Sequence, residues 1–276
     1  MMKDKVQNLL ASIHEYYGYD LTDYHIDFSI RAVKNEMSHQ SISDIDTFTE
    51  TLLKDEFKLN SFIRCYLINV SDMFRDIEPF RIFREQVVPD LKSYPRVRVW
   101  SCGCASGKEA LSLAIILEEE GLYDRTIIYG TDINQKALEA AKRATYSIED
   151  VIGFTQNYYL SGGKRDFRNF YTINWEIKTV HFNQSLLKNL YFSVHNLVSD
   201  KVFNEFEVIF CRNVFIYFND NLQKRSLRML KNSLRYRGYL FLGHSEHMNF
   251  KGISEHFRMI DSKHKTYQKI NDEVCI

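Results

Sequence analysis

Two carboxylates and a small-residue loop hold the chemistry that this chain can do. The stretch Val97-Arg-Val-Trp-Ser-Cys-Gly-Cys-Ala-Ser-Gly-Lys-Glu109 ends on an acid, and a second acid, Asp132, follows the apolar run Ile127-Ile-Tyr129. A carboxylate at a strand end can accept both vicinal hydroxyls of a ribose at once. Gly103 and Gly107 let the backbone approach a ligand closely. The dinucleotide fingerprint G-x-G-x-x-G is absent, and so is a glycine-lysine-serine/threonine phosphate loop. The loop therefore fits a nucleoside lacking a pyrophosphate, such as S-adenosylmethionine (SAM). Each acid also has a plainer reading. Ser106-x-x-Glu109 has the spacing of a capping box, and Asp132-x-x-Gln135 can begin the next helix.

A second group of candidates lies further along. Arg212 and Asn213 follow an apolar strand, Val208 to Cys211. Ligands in open α/β sheets bind beyond the carboxyl ends of strands, which points to this pair and to Tyr217. The alternatives are a surface arginine and a buried aromatic. Asn196, read alone, is a turn residue. Cys102-x-Cys104 is not a C-x-x-C pair, and small buried residues in a tight turn account for it.

The elements that must position these residues follow from periodicity. Val97 to Trp100 reads as a buried strand, the loop Ser101 to Gly107 follows, and a helix opens with Leu111, Ala114 and Ile115 on one face. This is a nucleotide-binding βαβ layout. Strands are expected at 97–101, 126–131, 207–211 and 238–243, with a last pair in 256–269. Helices are expected at 107–120, 133–143 and 220–236, the last capped through Asp220 and Gln223. Alternation of this kind implies a mostly parallel sheet. Residues 1–85 read as a small all-helical N-terminal domain with its linker, ahead of an α/β domain over 86–276. Within that domain, 154–187 reads as two or three short antiparallel strands, inserted around Gly162-Gly163 and beginning with Tyr158-Tyr-Leu160. Edges of so small a sheet can capture an extended peptide; a lid or packing role is the alternative.

Composition narrows the function classes. Lysine plus arginine and aspartate plus glutamate number 36 each, so the net charge is zero and nothing global points to nucleic acid. There is no signal peptide and no run of about 18 apolar residues, which leads to the expectation of a soluble, cytoplasmic chain without membrane insertion. Five cysteines without framework spacing suggest reduced thiols. Residues 1–68 carry 7 basic and 11 acidic side chains, a net of −4.

Several segments together resemble the chemotaxis receptor glutamate methyltransferases, the CheR family. Trp100-Ser-Cys-Gly-Cys-Ala-Ser-Gly-Lys-Glu109 is similar to that family's first SAM motif. Ile209-Phe-Cys-Arg-Asn-Val-Phe-Ile-Tyr-Phe218 is similar to its most distinctive stretch. Gly238-Tyr-Leu-Phe-Leu-Gly-His-Ser-Glu246 and Asn69-Val-Ser-Asp-Met-Phe-Arg75 are similar to two others, in the same order. The resemblance implies a Rossmann-like SAM-dependent methyltransferase domain behind the helical domain, with an inserted antiparallel β-subdomain. It implies methyl esterification of glutamate side chains on chemoreceptor cytoplasmic helices, with S-adenosylhomocysteine as product. It assigns Glu109 to the amino end of SAM's methionine, Asp132 to the ribose, and Asn196 and Leu197 to the adenine pocket. Arg212 and Asn213 join the site, and Asn69, Ser71 and Arg75 close over the cofactor. Arg75 and Tyr217 are the implied catalytic pair. No metal is implied.

The sequence departs from the family at several points. Ser71 stands where threonine is usual, and Lys108 replaces the first glutamate of a G-E-E triplet. The stretch Phe28 to Met37 carries only Arg31 and Lys34, where members acting on standard chemoreceptors tend to be more basic. The target can therefore be another signalling protein, and a non-catalytic SAM-responsive interaction module is the rival from a different class. A monomer is expected, recruited to membrane receptors, with a receptor-tail peptide as a candidate ligand of the β-subdomain edge.

Overall fold

The computed structural model describes residues 2–67, 71–197, 200–248, 250 and 252–271. By contacts the chain divides into two units. The first comprises residues 1–69, 197–199 and 215–226, and the second the remainder.

The first unit is built on four helices, α1 (Met2–Tyr17), α2 (Ile26–His39), α3 (Ile45–Lys54) and α4 (Glu56–Tyr66). Val6, Leu9, Leu10 and Ile13 are buried along α1 at helical spacing. Asp44 and Asp55 start α3 and α4 by accepting backbone N–H groups of Thr47, Phe57 and Lys58. The segment 215–226 joins this unit through a bridge between Tyr24 and Phe218 and a hydrogen bond from His25 N to the Tyr217 carbonyl.

In the second unit, α5 (Glu78–Ile82), a π-helical turn (Phe83–Val87) and α6 (Val88–Leu91) precede β1 (Val97–Cys102). Then come α7 (Lys108–Glu119), β2 (Thr126–Asp132), α8 (Gln135–Arg143), β3 (Thr145–Ser147) and α9 (Ile148–Leu160). They are followed by β4 (Tyr171–Asn174), β5 (Thr179–Phe182), α10 (Gln184–Leu187), β6 (Leu190–Val194) and β7 (Phe206–Cys211). Last are α11 (Asp220–Ser233), whose residues 220–226 group with the first unit, β8 (Leu234–Leu242), β9 (Phe257–Asp261) and β10 (Thr266–Lys269). The main sheet has seven strands in the order β6-β2-β1-β7-β8-β10-β9. Its first five strands run parallel, and β10 and β9 are antiparallel additions. β7 is buried at every position, and Phe210 stacks on Phe241 of β8 with ring centroids 4.1 Å apart. Runs buried on both faces are what a parallel sheet covered by helices demands.

The expected mixed α/β architecture and the extra antiparallel sheet are present, but the insert begins differently. Tyr158-Tyr-Leu160 closes the helix α9 rather than forming a strand. Ser147 caps α9 by accepting Asp150 N, and Val151, Phe154 and Tyr158 are buried at helical spacing. The three strands are instead β3, β5 and β4, in that order across the sheet. β6 was not expected. Of its five residues only Leu190 is buried, so no alternation marks it. The cap of α11 is Asn219, whose Oδ1 accepts Leu222 N, while Gln223 donates to the carbonyls of Phe215 and Phe218.

Candidate active site

The loop after β1 is tied to the end of β2. Gly103 N and Cys104 N both donate to the Thr131 carbonyl, at 2.8 and 2.9 Å, and Trp100 Nε1 donates to Thr131 Oγ1. Gly103, Ala105 and Gly107 all have positive φ, of 70°, 47° and 81°. A side chain at Gly103 would lie 2.6 Å from Val214, and one at Gly107 would lie 2.7 Å from Ala141. The loop is thus a tight cradle that accepts only glycine at these two turns.

Asp132 closes this loop. Its Oδ2 accepts Ala105 N at 2.8 Å and its Oδ1 accepts Asn134 N at 2.9 Å. Helix α8 is capped by Asn134, not Asp132, since Asn134 Oδ1 accepts Ala137 N. A carboxylate can accept several hydrogen bonds at once, so it can also take ligand hydroxyls. Burial pushes the Asp132 carboxyl above its ordinary value, against the pull of backbone N–H groups. His195 N donates to the Asp132 carbonyl, which brings the turn containing Asn196 beside it.

Glu109 is not a capping residue either. Gly107 caps α7 without a side chain, and Glu109 instead faces Ser101 and Arg212. Ser101 Oγ donates to Glu109 Oε1 at 2.8 Å, and Arg212 Nη1 donates to Oε2 at 3.3 Å. Burial raises the Glu109 carboxyl above its ordinary value; Arg212, Ser101 and Arg75 pull it back. The Arg212 side chain is 2% exposed, and its Nη2 donates to Asp76 Oδ2 at 2.7 Å and to the Arg75 carbonyl at 2.9 Å. Its Nε is buried and has no hydrogen-bond partner among the described residues. A buried carboxylate whose ion-pair partner, Arg212, is shared with Asp76 fits the ammonium of an amino-acid group.

The second unit therefore brings Glu109, Arg212, Arg75, Asp132 and Asn213 together, with Asn196 alongside Asp132. Ser71 is half-buried at the head of the segment leading to Arg75. Asn69 lies outside the described residues. Leu197 is buried and groups by contact with the first unit. Tyr217 also belongs to the first unit, where its ring centroid lies 4.9 Å from that of Phe28.

Two residues not singled out from the sequence shape the site. Glu246, 3% exposed, accepts N–H groups of Asn213 and Val214 at 3.1 and 2.8 Å, and of Gly243. It fixes the loop after β7, where Asn213 sits at a φ of 61°. Asp76 pairs with Arg212. Asp76 pairs with a residue 136 positions away, and Glu246 grips Asn213 and Val214 across more than 30 residues, so spacing alone reveals neither role.

The family described as "CheR methyltransferase, SAM binding domain" is matched over residues 69–266. Cher3 of Pseudomonas putida is 36% identical over 265 residues, covering 96% of each chain. A chemotaxis protein methyltransferase of Listeria innocua is 31% identical over 83% of this chain and 84% of its own. Another, from Pseudomonas aeruginosa, is 29% identical over 68% of each.

Proposed function

The chain belongs to the CheR methyltransferase family, with SAM as its methyl donor, and from that premise we propose that it methylates glutamate side-chain carboxylates of chemoreceptors in sensory adaptation. The observation that carries the reading is the pair of buried acids flanking the Gly103–Gly107 cradle, one of them paired with a buried arginine. Glu109 takes the ammonium of SAM, with Arg212 beside it. Asp132 takes the ribose, Asn196 the adenine edge and Leu197 its face. The family motifs also assign Asn213, Asn69 and Ser71 to the cofactor.

Bound SAM supplies a methyl group on a positively charged sulfur. The acceptor glutamate is ionised at pH 7, so no side chain has to remove a proton from it. Its oxygen forms the new bond to carbon as the carbon–sulfur bond breaks, giving a methyl ester and S-adenosylhomocysteine. Opposite charges cancel along this path, so exclusion of water and alignment supply the rate. Arg75 holds the acceptor carboxylate with its planar guanidinium. Tyr217 shapes or hydrogen-bonds the acceptor side of the reaction. The edge of the β3-β5-β4 sheet takes a receptor-tail peptide, and the protein acts as a cytoplasmic monomer recruited to membrane receptors. No helix among the described residues is long and apolar enough to cross a membrane.

One observation favours a second acceptor class. The exposed face of α2 presents Asp27, Arg31, Lys34 and Asn35, a net of one positive charge for docking acidic receptor helices. A carboxyl group on a signalling protein other than a chemoreceptor needs no such helix. The test is transfer of a labelled methyl group from SAM to receptor-bearing membranes of the same organism, followed by mild alkali. Volatile labelled methanol supports receptor esterification. Absence of transfer while SAM still binds refutes the receptor acceptor, and label that resists alkali refutes a carboxyl ester.

A further inference from the structure

Asp76 has no place in the reaction as set out above, yet it holds the shorter of the two ion pairs made by the most deeply buried cation of the site. Arg212 reaches Asp76 at 2.7 Å and Glu109 at 3.3 Å. Asp76 itself is 45% exposed in its side chain, so it neutralises Arg212 from the solvent side. A guanidinium shared between two carboxylates leaves each less fully satisfied than an exclusive pair does. Glu109 therefore keeps attraction to spare for a second cation.

The backbone at Asp76 is held in an uncommon conformation. Phe74, Asp76 and Ile77 have φ of 51°, 63° and 44°, and a β-branched residue such as isoleucine rarely adopts that region. Such strain persists only where surroundings enforce it, and it clusters at functional sites. The tethers here are explicit. Phe74 N donates to Ser112 Oγ at 3.0 Å, one turn along α7 from Glu109. Asn157 Nδ2 donates to the Met73 carbonyl at 3.1 Å. Arg212 Nη2 grips both the Arg75 carbonyl and the Asp76 carboxylate.

We propose that Asp76 is a positioning residue that acts through Arg212: it draws the guanidinium away from Glu109, so that Glu109 stays available to the ammonium of the methyl donor. The proposal rests on the reading that Glu109 takes that ammonium. With the charge of Asp76 removed, Arg212 turns fully to Glu109 and competes with the ammonium. The loss must then be confined to ligands that carry an amino group.

The experiment measures binding of S-adenosylhomocysteine and of its deaminated analogue, by calorimetry, to the wild type and to Asp76→Asn, Asp76→Glu and Glu109→Gln. Asp76→Asn should weaken S-adenosylhomocysteine roughly tenfold and leave the deaminated analogue within about twofold. Asp76→Glu should recover most of the loss. Retained binding of the analogue also reports a folded site. Equal losses for both ligands would mean a merely structural role and overturn the proposal, as would no loss for either. If Glu109→Gln lowers only S-adenosylhomocysteine binding and Asp76→Asn does not, the proposal alone fails. If Glu109→Gln does not distinguish the two ligands, the reading of Glu109 fails and the proposal with it.

Discussion

Glu109 is a buried acid whose ionisation is resisted by its surroundings and rescued by neighbours. Its carboxyl is raised above the ordinary 4.5 because burial outweighs the help of Arg212, Ser101 and Arg75. An ammonium ligand needs the ionised form, so affinity for S-adenosylhomocysteine should fall as the pH drops through this raised value. The fall should begin above the pH at which an ordinary glutamate titrates. Calorimetric affinities between pH 4.5 and 8 check this, and Glu109→Gln should flatten the profile. The sign for stability is opposite. The folded state binds this proton more tightly than the unfolded chain, so this group favours folding at low pH and loses that contribution as pH rises through the raised value. Glu246 works differently at the same scale. It binds no proposed ligand, but its three backbone N–H contacts hold Asn213 at its positive φ.

At the scale of elements, one buried carboxylate ties the β3-β5-β4 insert to the core of the second unit. Glu119, at the end of α7, accepts Arg84 Nη2 at 2.7 Å, Tyr158 OH at 2.5 Å and Lys164 N at 2.9 Å. These donors come from the π-helical turn before β1, from α9 and from the glycine-containing loop after it. Arg84 also reaches Glu120 at 3.1 Å, and Lys164 Nζ pairs with Glu120. Removing Glu119 leaves a 5%-exposed guanidinium with half its partners. Glu119→Ala should therefore cost about 2–3 kcal/mol, below the roughly 3–5 of a fully orphaned buried charge. Urea denaturation of the full chain measures it. Amide exchange should quicken first in residues 158–171 if the network anchors the insert.

At the scale of the whole molecule, the residues proposed for cofactor binding and for turnover are distinct. Glu109, Asp132, Asn196, Leu197, Arg212 and Asn213 are assigned to the methyl donor, and Tyr217 to the acceptor. Cofactor affinity and turnover should therefore separate on mutation of Tyr217. Tyr217→Phe should lower the rate of methyl transfer at least about tenfold while S-adenosylhomocysteine affinity changes by less than about twofold. Unchanged turnover would remove Tyr217 from the reaction. Two acceptor classes remain distinct at this scale, because the α2 face presents a net of one positive charge.

The sequence by itself determined the βαβ layout, because buried runs such as Val97 to Trp100 and the glycine turn after them are local signals. It determined where Glu109, Asp132, Arg212 and Asn213 stand relative to strand ends, and through its motifs the family. Local pattern could not separate a ligand-facing acid from a capping acid at Ser106-x-x-Glu109, since both have the same spacing. Only the tertiary structure decided that Glu109 is not a cap, by placing Arg212, 103 residues away, against it. It also decided that α9 is a helix, that β6 exists without alternation, and that residues 215–226 pack with the N-terminal helices. Asp76, Glu119 and Glu246 were illegible for one physical reason. Each is fixed by long-range partners, and a charge on a surface-like stretch shows nothing of what the fold will bring to meet it.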